Sequence, residues 1–245
     1  MIYIASFVFG VVIGSFLNVV ILRTGTGLGF GGRSMCLSCG AKLGWGDLVP
    51  IISYIFLHAK CRTCDAKISI QYPLVEFTSG VLFFVSVYRF GYSLSTLVLL
   101  AILLLLLIIL VYDFKHTIIP DWAVFGFIVL SFARSYSEGY IFSNDFWVGP
   151  LMFAFFATLW VISDGRWMGF GDAKLALGIG FLLGWDMGLS GFLMSFWIGA
   201  IVGILLLFAG RKSLTMSSEI PFAPFMVVAT YWHVFFSFSL LRLLS

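Results

Sequence analysis

The sequence has 245 residues, of which 61% are hydrophobic and 10% are charged, and its net charge is +3. A soluble domain of this size has too small an interior to bury that much apolar surface, so a soluble globular class is excluded. The apolar runs are continuous and rich in Leu and Phe rather than alternating, which disfavours a membrane β-barrel. So small a net charge indicates no nucleic-acid partner. The composition predicts an all-α polytopic membrane protein in a lipid bilayer.

About eight transmembrane helices are predicted, because a helical span needs about 20 mostly apolar residues. The first stretch, "MIYIASFVFGVVIGSFLNVVILR", lacks the basic start and the small-residue cleavage site of a signal peptide, so it is predicted to be a retained span. In chain order, the predicted spans are 2–22, 73–88, 94–112, 119–134, 147–163, 173–187, 189–209 and 221–241.

The long polar segment 23–72 contains all four cysteines and is predicted to be a small extramembrane domain, between a first helix at 1–22 and a membrane core at 73–245. The cysteines form two C-x-x-C motifs, "CLSC" and "CRTC", separated by 21 residues. Two such motifs can supply four thiolates to one tetrahedral zinc ion, giving a closed structural site. A redox dithiol and free cysteines remain alternatives, and His58 is the nearest other ligand. The predicted zinc ligands are Cys36, Cys39, Cys61 and Cys64.

The basic residues indicate the orientation of the chain, because cytoplasmic loops of membrane proteins carry an excess of Lys and Arg. With eight spans, the loops on the side of segment 23–72 hold 11 of the 14 Lys and Arg residues, and the opposite side holds Arg89, Arg134 and Arg242. The four-cysteine domain is therefore predicted to be cytoplasmic.

Two aspartates lie at the ends of apolar spans on this predicted cytoplasmic side. Asp113, in "VYDFKHTIIPD", follows the third span, and Asp172, in "GFGDAKL", precedes the sixth. Acids at such positions are costly and usually face a polar cavity. Two carboxylates held together cannot both ionise easily, so one can donate a proton while the other activates water. The pair predicts an aspartic protease, although each residue could also be an ordinary interface charge.

Other residues are candidates for shaping the substrate site. Gly169 and Gly171 would allow an unusual backbone and the close approach of a substrate strand. Lys174 follows the second aspartate. Glu76 could line the same cavity or reach outward to water. Asp121 is interpreted instead as an acid at a helix start, and an exposed turn is predicted at Asp164.

Taken together, these motifs resemble the type IV prepilin peptidases, which are bacterial membrane aspartic proteases of the G-x-G-D kind. The resemblance covers nearly the whole chain: "GSFLNVVILR", the two C-x-x-C motifs, "DLVPIISY", "ISIQYPLVE", "YDFKHTIIPD", "GFGDAKL" and "PFAPF". It implies that Asp113 and Asp172 are the catalytic pair. It also implies removal of a short basic leader from prepilins or pilin-like secretion proteins at the cytoplasmic face of the inner membrane. Methylation of the new N-terminus with S-adenosylmethionine is implied as well.

The chain departs from the family pattern in three places. The first motif, "CLSC", lacks the usual proline after its first cysteine, the stretch "RTGTGLGFGGRS" replaces a compact Arg-Leu-Pro type, and "PFAPF" lacks a central glycine. Two other functions remain open. A protease of the presenilin or signal-peptide-peptidase type would share "YD" and "GFGD" but lack the cysteine domain. A proton-coupled transporter would predict an internal repeat of spans, which the sequence does not show.

Overall fold

The computed structural model describes residues 1–27, 29, 31–32, 34–139, 143–208 and 221–236. The chain divides into two compact units, Met1–Thr96 and Leu97–Ser245. The helices are α1 (Ile2–Arg23), α2 (Ile52–Phe56), α3 (Gln71–Phe90), α4 (Leu94–His116), α5 (Asp121–Ser137), α6 (Val148–Ile162), α7 (Phe170–Phe208) and α8 (Ala223–Phe236).

The described residues contain helices and no strands, which confirms the predicted all-α class. Five helical segments are long and apolar enough to cross a membrane, and α8 is a shorter apolar helix. Many large apolar side chains on these helices are exposed, among them Leu97, Val129 and Leu205. Such a surface suits a hydrocarbon solvent, so the chain is a multi-pass membrane protein.

In the N-terminal unit, α1 packs closely on α3 through small residues. A Cβ atom at Gly10 would lie 2.8 Å from the carbonyl oxygen of Ser79, and one at Gly14 would lie 2.7 Å from the Cα of Glu76. The Ser79 hydroxyl donates a hydrogen bond to the Gly10 carbonyl at 2.7 Å. The "GVVIG" pattern is thus a helix-packing face, since glycines let two helix backbones approach closely in a membrane.

In the C-terminal unit, α4 has a fully buried face. Ile102, Leu103, Leu106 and Ile109 are fully buried at helical spacing. Helices α5, α6 and α8 each pack against α7. A Cβ atom at Gly180 of α7 would overlap the backbone of α6, so this crossing also depends on a glycine.

Helix α7 is interrupted at Gly184, whose φ of 69° and ψ of −165° are not helical. The Asp145 carboxylate accepts a hydrogen bond at 2.8 Å from the backbone N–H of Trp185, which the interruption leaves without a helical partner. The sequence predicted a separation between its sixth and seventh spans near residue 188. The actual break is at Gly184, because glycine is the residue that tolerates this backbone conformation.

Other predicted boundaries shift by a few residues. The third span was predicted to end at 112, but α4 continues to His116, so Asp113 lies inside the last helical turn. Lys115 and His116 stabilise this extra turn, since cations favour the negative end of a helix dipole. The last predicted span, 221–241, begins as α8 at Ala223, and its residues 237–241 lie outside the described part of the chain.

Candidate active site and metal centre

Asp113 is buried at the carboxyl end of α4, with 4% of its surface exposed. Its Oδ2 atom accepts no hydrogen bond from the described residues. Thr117, the residue after α4, has a φ of 52° and donates its backbone N–H to the Asp113 carbonyl at 2.8 Å. Buried polar atoms without partners are rare and costly, so an orphaned carboxylate oxygen indicates a site that acts on something else.

Asp172 lies in the first turn of α7 and is 7% exposed. Its backbone N–H donates to the carbonyl of Gly169 at 3.1 Å, which closes the "GFGD" turn. The loop after α4 packs directly on this turn: a Cβ atom at Gly171 would lie 3.0 Å from the Cβ of Ile119. The turn that carries Asp172 therefore rests against the loop that follows Asp113.

The two glycines of this turn have different surroundings. Neither Gly169 nor Gly171 has a positive φ, and their predicted role in admitting a substrate strand stays a prediction. Gly171 is required by space, because a side chain there would press on Ile119. A Cβ atom at Gly169 would meet only the Gly171 nitrogen, at 3.9 Å, which is ordinary contact.

Lys174 forms an ion pair with Asp121, with 2.6 Å between Nζ and Oδ1. The ammonium group also lies 5.3 Å from the ring centroid of Phe125 and 5.6 Å from that of Phe170. Asp121 is in the first turn of α5, where Pro120 is the N-cap residue and no side chain caps the helix. The pair therefore joins the starts of α5 and α7. The sequence placed each residue near the site but did not predict their contact.

The four predicted metal ligands come together in the N-terminal unit. The Sγ atoms of Cys36, Cys39, Cys61 and Cys64 all lie within 4.8 Å of one another, and His58 is not part of the cluster. The Sγ atoms of Cys36 and Cys64 are 3.9 Å apart. Tetrahedral zinc with Zn–S bonds of about 2.3 Å requires sulfur atoms about 3.8 Å apart. The donor set and its spacing therefore fit zinc, which would cross-link the segment.

The two C-x-x-C motifs have the same backbone geometry. In the first, the N–H of Cys36 donates to Ala41 and the N–H of Gly40 donates to Cys36; in the second, Cys61 donates to Ala66 and Asp65 donates to Cys61. Gly40 and Asp65, which follow the second cysteine of each motif, both have a positive φ.

Backbone N–H groups also prepare one of the sulfur ligands. Those of Cys39 and Ser38 lower the pKa of the Cys36 thiol from 9.0 to about 6. A thiolate is the form of cysteine that binds metal. The backbone of the first C-x-x-C motif therefore favours the metal-binding form of Cys36 over the neutral thiol.

Glu76 is a buried residue of α3 in the N-terminal unit, 6% exposed. Its Oε2 accepts a hydrogen bond at 2.7 Å from the backbone N–H of Ile51, which has a φ of 60°. The same carboxylate lines a cavity of about 690 Å³ whose walls come only from residues 15–76. From the sequence, Glu76 could either line the cavity of the aspartate pair or reach outward to water. The cavity that it lines here contains neither aspartate, and its partner at Ile51 was not predictable from spacing.

The fold and these residues define a class: a multi-pass helical membrane protein with two buried aspartates and a cluster of four cysteines that could hold a metal ion. Comparison with known proteins gives the family. Residues 8–90 match the bacterial Peptidase A24 N-terminal domain, and residues 98–204 match the type IV leader peptidase family. The chain belongs to the type IV leader peptidase family and is a protease. The two matched ranges fall on either side of the boundary between the units at Thr96.

Several relatives carry the name prepilin leader peptidase/N-methyltransferase. The protein of Bacillus subtilis is 33% identical over 225 residues, 89% of this chain and 88% of the relative. That of Vibrio cholerae is 30% identical over 246 residues, 94% of each chain. That of Myxococcus xanthus is 34% identical over 213 residues, which are 84% of this chain and 64% of the relative. No solved structure matches the chain significantly.

Proposed function

We propose that this protein is an aspartic endopeptidase that removes the short basic leader from prepilins or pilin-like secretion proteins. The observation that carries the proposal is the orphaned, buried carboxylate of Asp113 beside the turn that holds Asp172. The names of the relatives supply the substrate class.

Peptide hydrolysis by this pair needs neither a metal nor a covalent intermediate. One carboxylate accepts a proton from a water molecule, whose oxygen forms a bond to the scissile carbonyl carbon. The other carboxyl group donates its proton to the substrate, and the carbon–nitrogen bond breaks as the amine leaves with a proton. Two adjacent carboxyl groups in a buried site favour the state in which one is ionised and the other is protonated, because they repel each other when both are charged.

Cleavage on the cytoplasmic side is part of the proposal, because the distribution of basic residues supports that orientation. Lys115 and Lys174, each two residues after one of the aspartates, belong to the side with the excess of basic residues. The basic residues assigned to that side are Arg23, Arg33, Lys42, Lys60, Arg62, Lys67, Lys115, Arg166, Lys174, Arg211 and Lys212, of which Arg33, Arg211 and Lys212 lie outside the described residues.

We assign a second reaction to the N-terminal unit: methylation of the newly exposed N-terminus with S-adenosylmethionine. The relatives' printed names support it, and the unit has a cavity distinct from the aspartate pair. Zinc bound by the four cysteines would supply cross-links to a segment with little apolar core. The other proposed partners are the prepilin and the lipid bilayer, with no nucleic acid.

Leader cleavage tests the proposal directly. Detergent-purified wild-type protein is incubated with a prepilin, beside Asp113→Asn, Asp172→Asn and Asp164→Asn. Asparagine keeps the shape of aspartate but does not titrate. Asp164 is the matched control, because it is an exposed turn residue with a φ of 49°, a conformation that asparagine tolerates.

We expect the first two variants to be inactive and the control to cleave normally. Normal cleavage by Asp113→Asn or Asp172→Asn would show that the pair is not catalytic.

A further inference from the structure

Five large apolar side chains between residues 45 and 56 are exposed on the N-terminal unit. These five, which form what we call the outer ridge, are Trp45, Val49, Ile52, Ile55 and Phe56, with exposed fractions from 40% at Val49 to 85% at Trp45. None of them lines the cavity of the same unit. Apolar side chains gathered on a surface mark a site of contact with a protein or a membrane. The outer ridge is therefore a candidate interaction surface.

Helix α2, which carries three of these side chains, has its polar side toward the protein interior. Its Ser53 and Tyr54 line the cavity. Its Ile52, Ile55 and Phe56 point outward and are 53%, 66% and 79% exposed. A surface helix in water has the reverse arrangement, with its apolar side on the core and its polar side in solvent. The outer side of α2 therefore suits an apolar medium.

A hydrogen bond fixes the depth of α2 along a membrane-spanning helix. The backbone N–H of Ile51, directly before α2, donates to Oε2 of Glu76 at 2.7 Å. Glu76 lies five residues after Gln71, the first residue of α3. At a rise of 1.5 Å per residue, the bond is about 7–8 Å past the start of α3. Since α3 is long and apolar enough to cross a membrane, the start of α2 lies within the depth of the span.

The backbone at Ile51 is strained, and the bond to Glu76 holds it. Ile51 has a φ of 60° and a ψ of −50°, and the N–H of Ile52 donates to the carbonyl of Pro50 at 2.5 Å. This is a γ-turn of the rare, strained kind, at a β-branched residue for which a positive φ is an outlier. Such strain persists only where the surroundings impose it. The position of α2 is therefore set by its contact with α3.

Helix α3 also exposes apolar side chains at this level. Leu74 and Phe77, on either side of Glu76 in the sequence, are 55% and 53% exposed. On a spanning helix, such side chains face hydrocarbon. Because Ile52 directly follows the residue bonded to Glu76, the outer ridge reaches the level at which α3 faces lipid.

The charge of the surrounding segment complements an anionic membrane surface. Residues 23–72 include six Lys and Arg residues and two Asp residues. Lys60, four residues after Phe56, is exposed. Basic segments next to a spanning helix are attracted to anionic lipid headgroups. An apolar ridge within a basic segment therefore fits the boundary between headgroups and acyl chains.

We infer that the outer ridge inserts into the lipid bilayer, as a membrane contact of the four-cysteine segment in addition to α1 and α3. Trp45 lies at the level of the headgroups, where tryptophan is favoured, and Ile52, Ile55 and Phe56 reach the acyl chains. The insertion holds the cysteine cluster at the membrane surface. The inference depends on neither of the two proposed reactions.

Photocrosslinking from the two faces of α2 tests the inference. The full chain carries the photoreactive residue benzoylphenylalanine in place of Phe56, and it is reconstituted in vesicles of phosphatidylethanolamine and phosphatidylglycerol. Under near-ultraviolet light this residue bonds covalently to C–H groups that it touches. Mass spectrometry of the irradiated protein then measures the yield of adducts with lipid acyl chains.

Tyr54→benzoylphenylalanine is the matched control, because Tyr54 is an aromatic residue of the same helix that lines the cavity. We expect at least about tenfold more lipid adduct from position 56 than from position 54, since only the outer face of an interfacial helix reaches acyl chains. Replacing phosphatidylglycerol by phosphatidylcholine should lower the yield from position 56 by at least about twofold, because the basic segment then loses its anionic partner. Metal content and thermal unfolding verify that the variants are folded, and Ile55→benzoylphenylalanine replaces the first variant if that one is unfolded.

Two results would overturn the inference. Equal lipid yields from the two faces of α2 would show that the outer ridge is not inserted. Crosslinking from position 56 to a second copy of the chain, seen as a covalent dimer in place of the lipid adduct, would make the ridge a protein interface instead. A yield from position 56 that is the same with and without the anionic lipid would contradict the contribution of the basic residues.

Discussion

Glu76 in the N-terminal unit and Asp113 in the C-terminal unit are both buried acids on apolar helices, and their surroundings differ. Glu76 accepts hydrogen bonds from the Ile51 backbone and the Ser15 hydroxyl, beside an open cavity. Asp113 keeps one oxygen without a partner among the described residues, and the turn that carries Asp172 packs on the loop that follows it. Hydrogen bonds fix an anchored carboxylate in place, whereas an orphaned one near a second acid suits moving protons. Five predictions test this contrast.

The largest expected effect is on leader cleavage. Asp113→Asn and Asp172→Asn should each lower kcat/KM by about 10²–10⁴-fold, the usual contribution of a general acid or base. The double variant should be no worse than either single one, because the two residues act as a unit. Steady-state cleavage of a prepilin peptide measures both effects.

The same variants also test whether the two units work independently. The affinity for S-adenosylmethionine should stay within about twofold of wild type, since neither aspartate lines the cavity of the N-terminal unit. A large loss of this affinity in Asp113→Asn would contradict the separation of the two chemistries.

Removal of the metal should affect the N-terminal unit, which contains the four cysteines. The double variant Cys36→Ser, Cys64→Ser should lose about one zinc ion per chain, since a structural site needs its four ligands. The free energy of unfolding should also fall, because zinc would cross-link a segment with little apolar core. Elemental analysis and calorimetry measure the two quantities. His58→Ala serves as the control, and zinc lost from that variant instead would mean that the cluster is not the metal site.

Alanine substitutions at Gly169 and Gly171 test how the turn that carries Asp172 packs. Gly171→Ala should lower the free energy of unfolding by about 1–3 kcal/mol, because its Cβ would press on Ile119, as in other overpacked sites. Gly169→Ala should change it by less than about 0.5 kcal/mol, since the space there is open. Thermal unfolding in detergent compares the two. Equal effects would show that the loop after α4 does not pack on the turn.

The smallest expected effect concerns the ion pair between Lys174 and Asp121. A double-mutant cycle with Lys174→Met and Asp121→Asn should give a coupling free energy of about 0.2–1 kcal/mol, because the carboxylate is exposed to solvent. Cleavage should fall only slightly in these variants. A loss as large as that of Asp172→Asn would mean that Lys174 acts on the substrate rather than joining two helix starts.

The sequence by itself determined the membrane class and the clustering of four cysteines, and it predicted the two aspartates of the candidate site. These properties depend on local composition and spacing. Long apolar runs are typical of membrane spans, and two C-x-x-C motifs can present their thiolates to one ion. Acids at the ends of spans are costly and usually face a polar cavity. The confirmed all-helical class and the cysteine cluster both follow from such short-range rules. The catalytic role of the aspartates stays a prediction.

Only the tertiary structure decided which partners each candidate residue has. The contact of Gly171 with Ile119, the pairing of Lys174 with Asp121 and the hydrogen bond from Ile51 to Glu76 join residues far apart in sequence. Helix packing sets such contacts, and packing depends on the shapes of several helices at once rather than on any periodic pattern. For the same reason the cavity beside Glu76 could be found only in the folded chain.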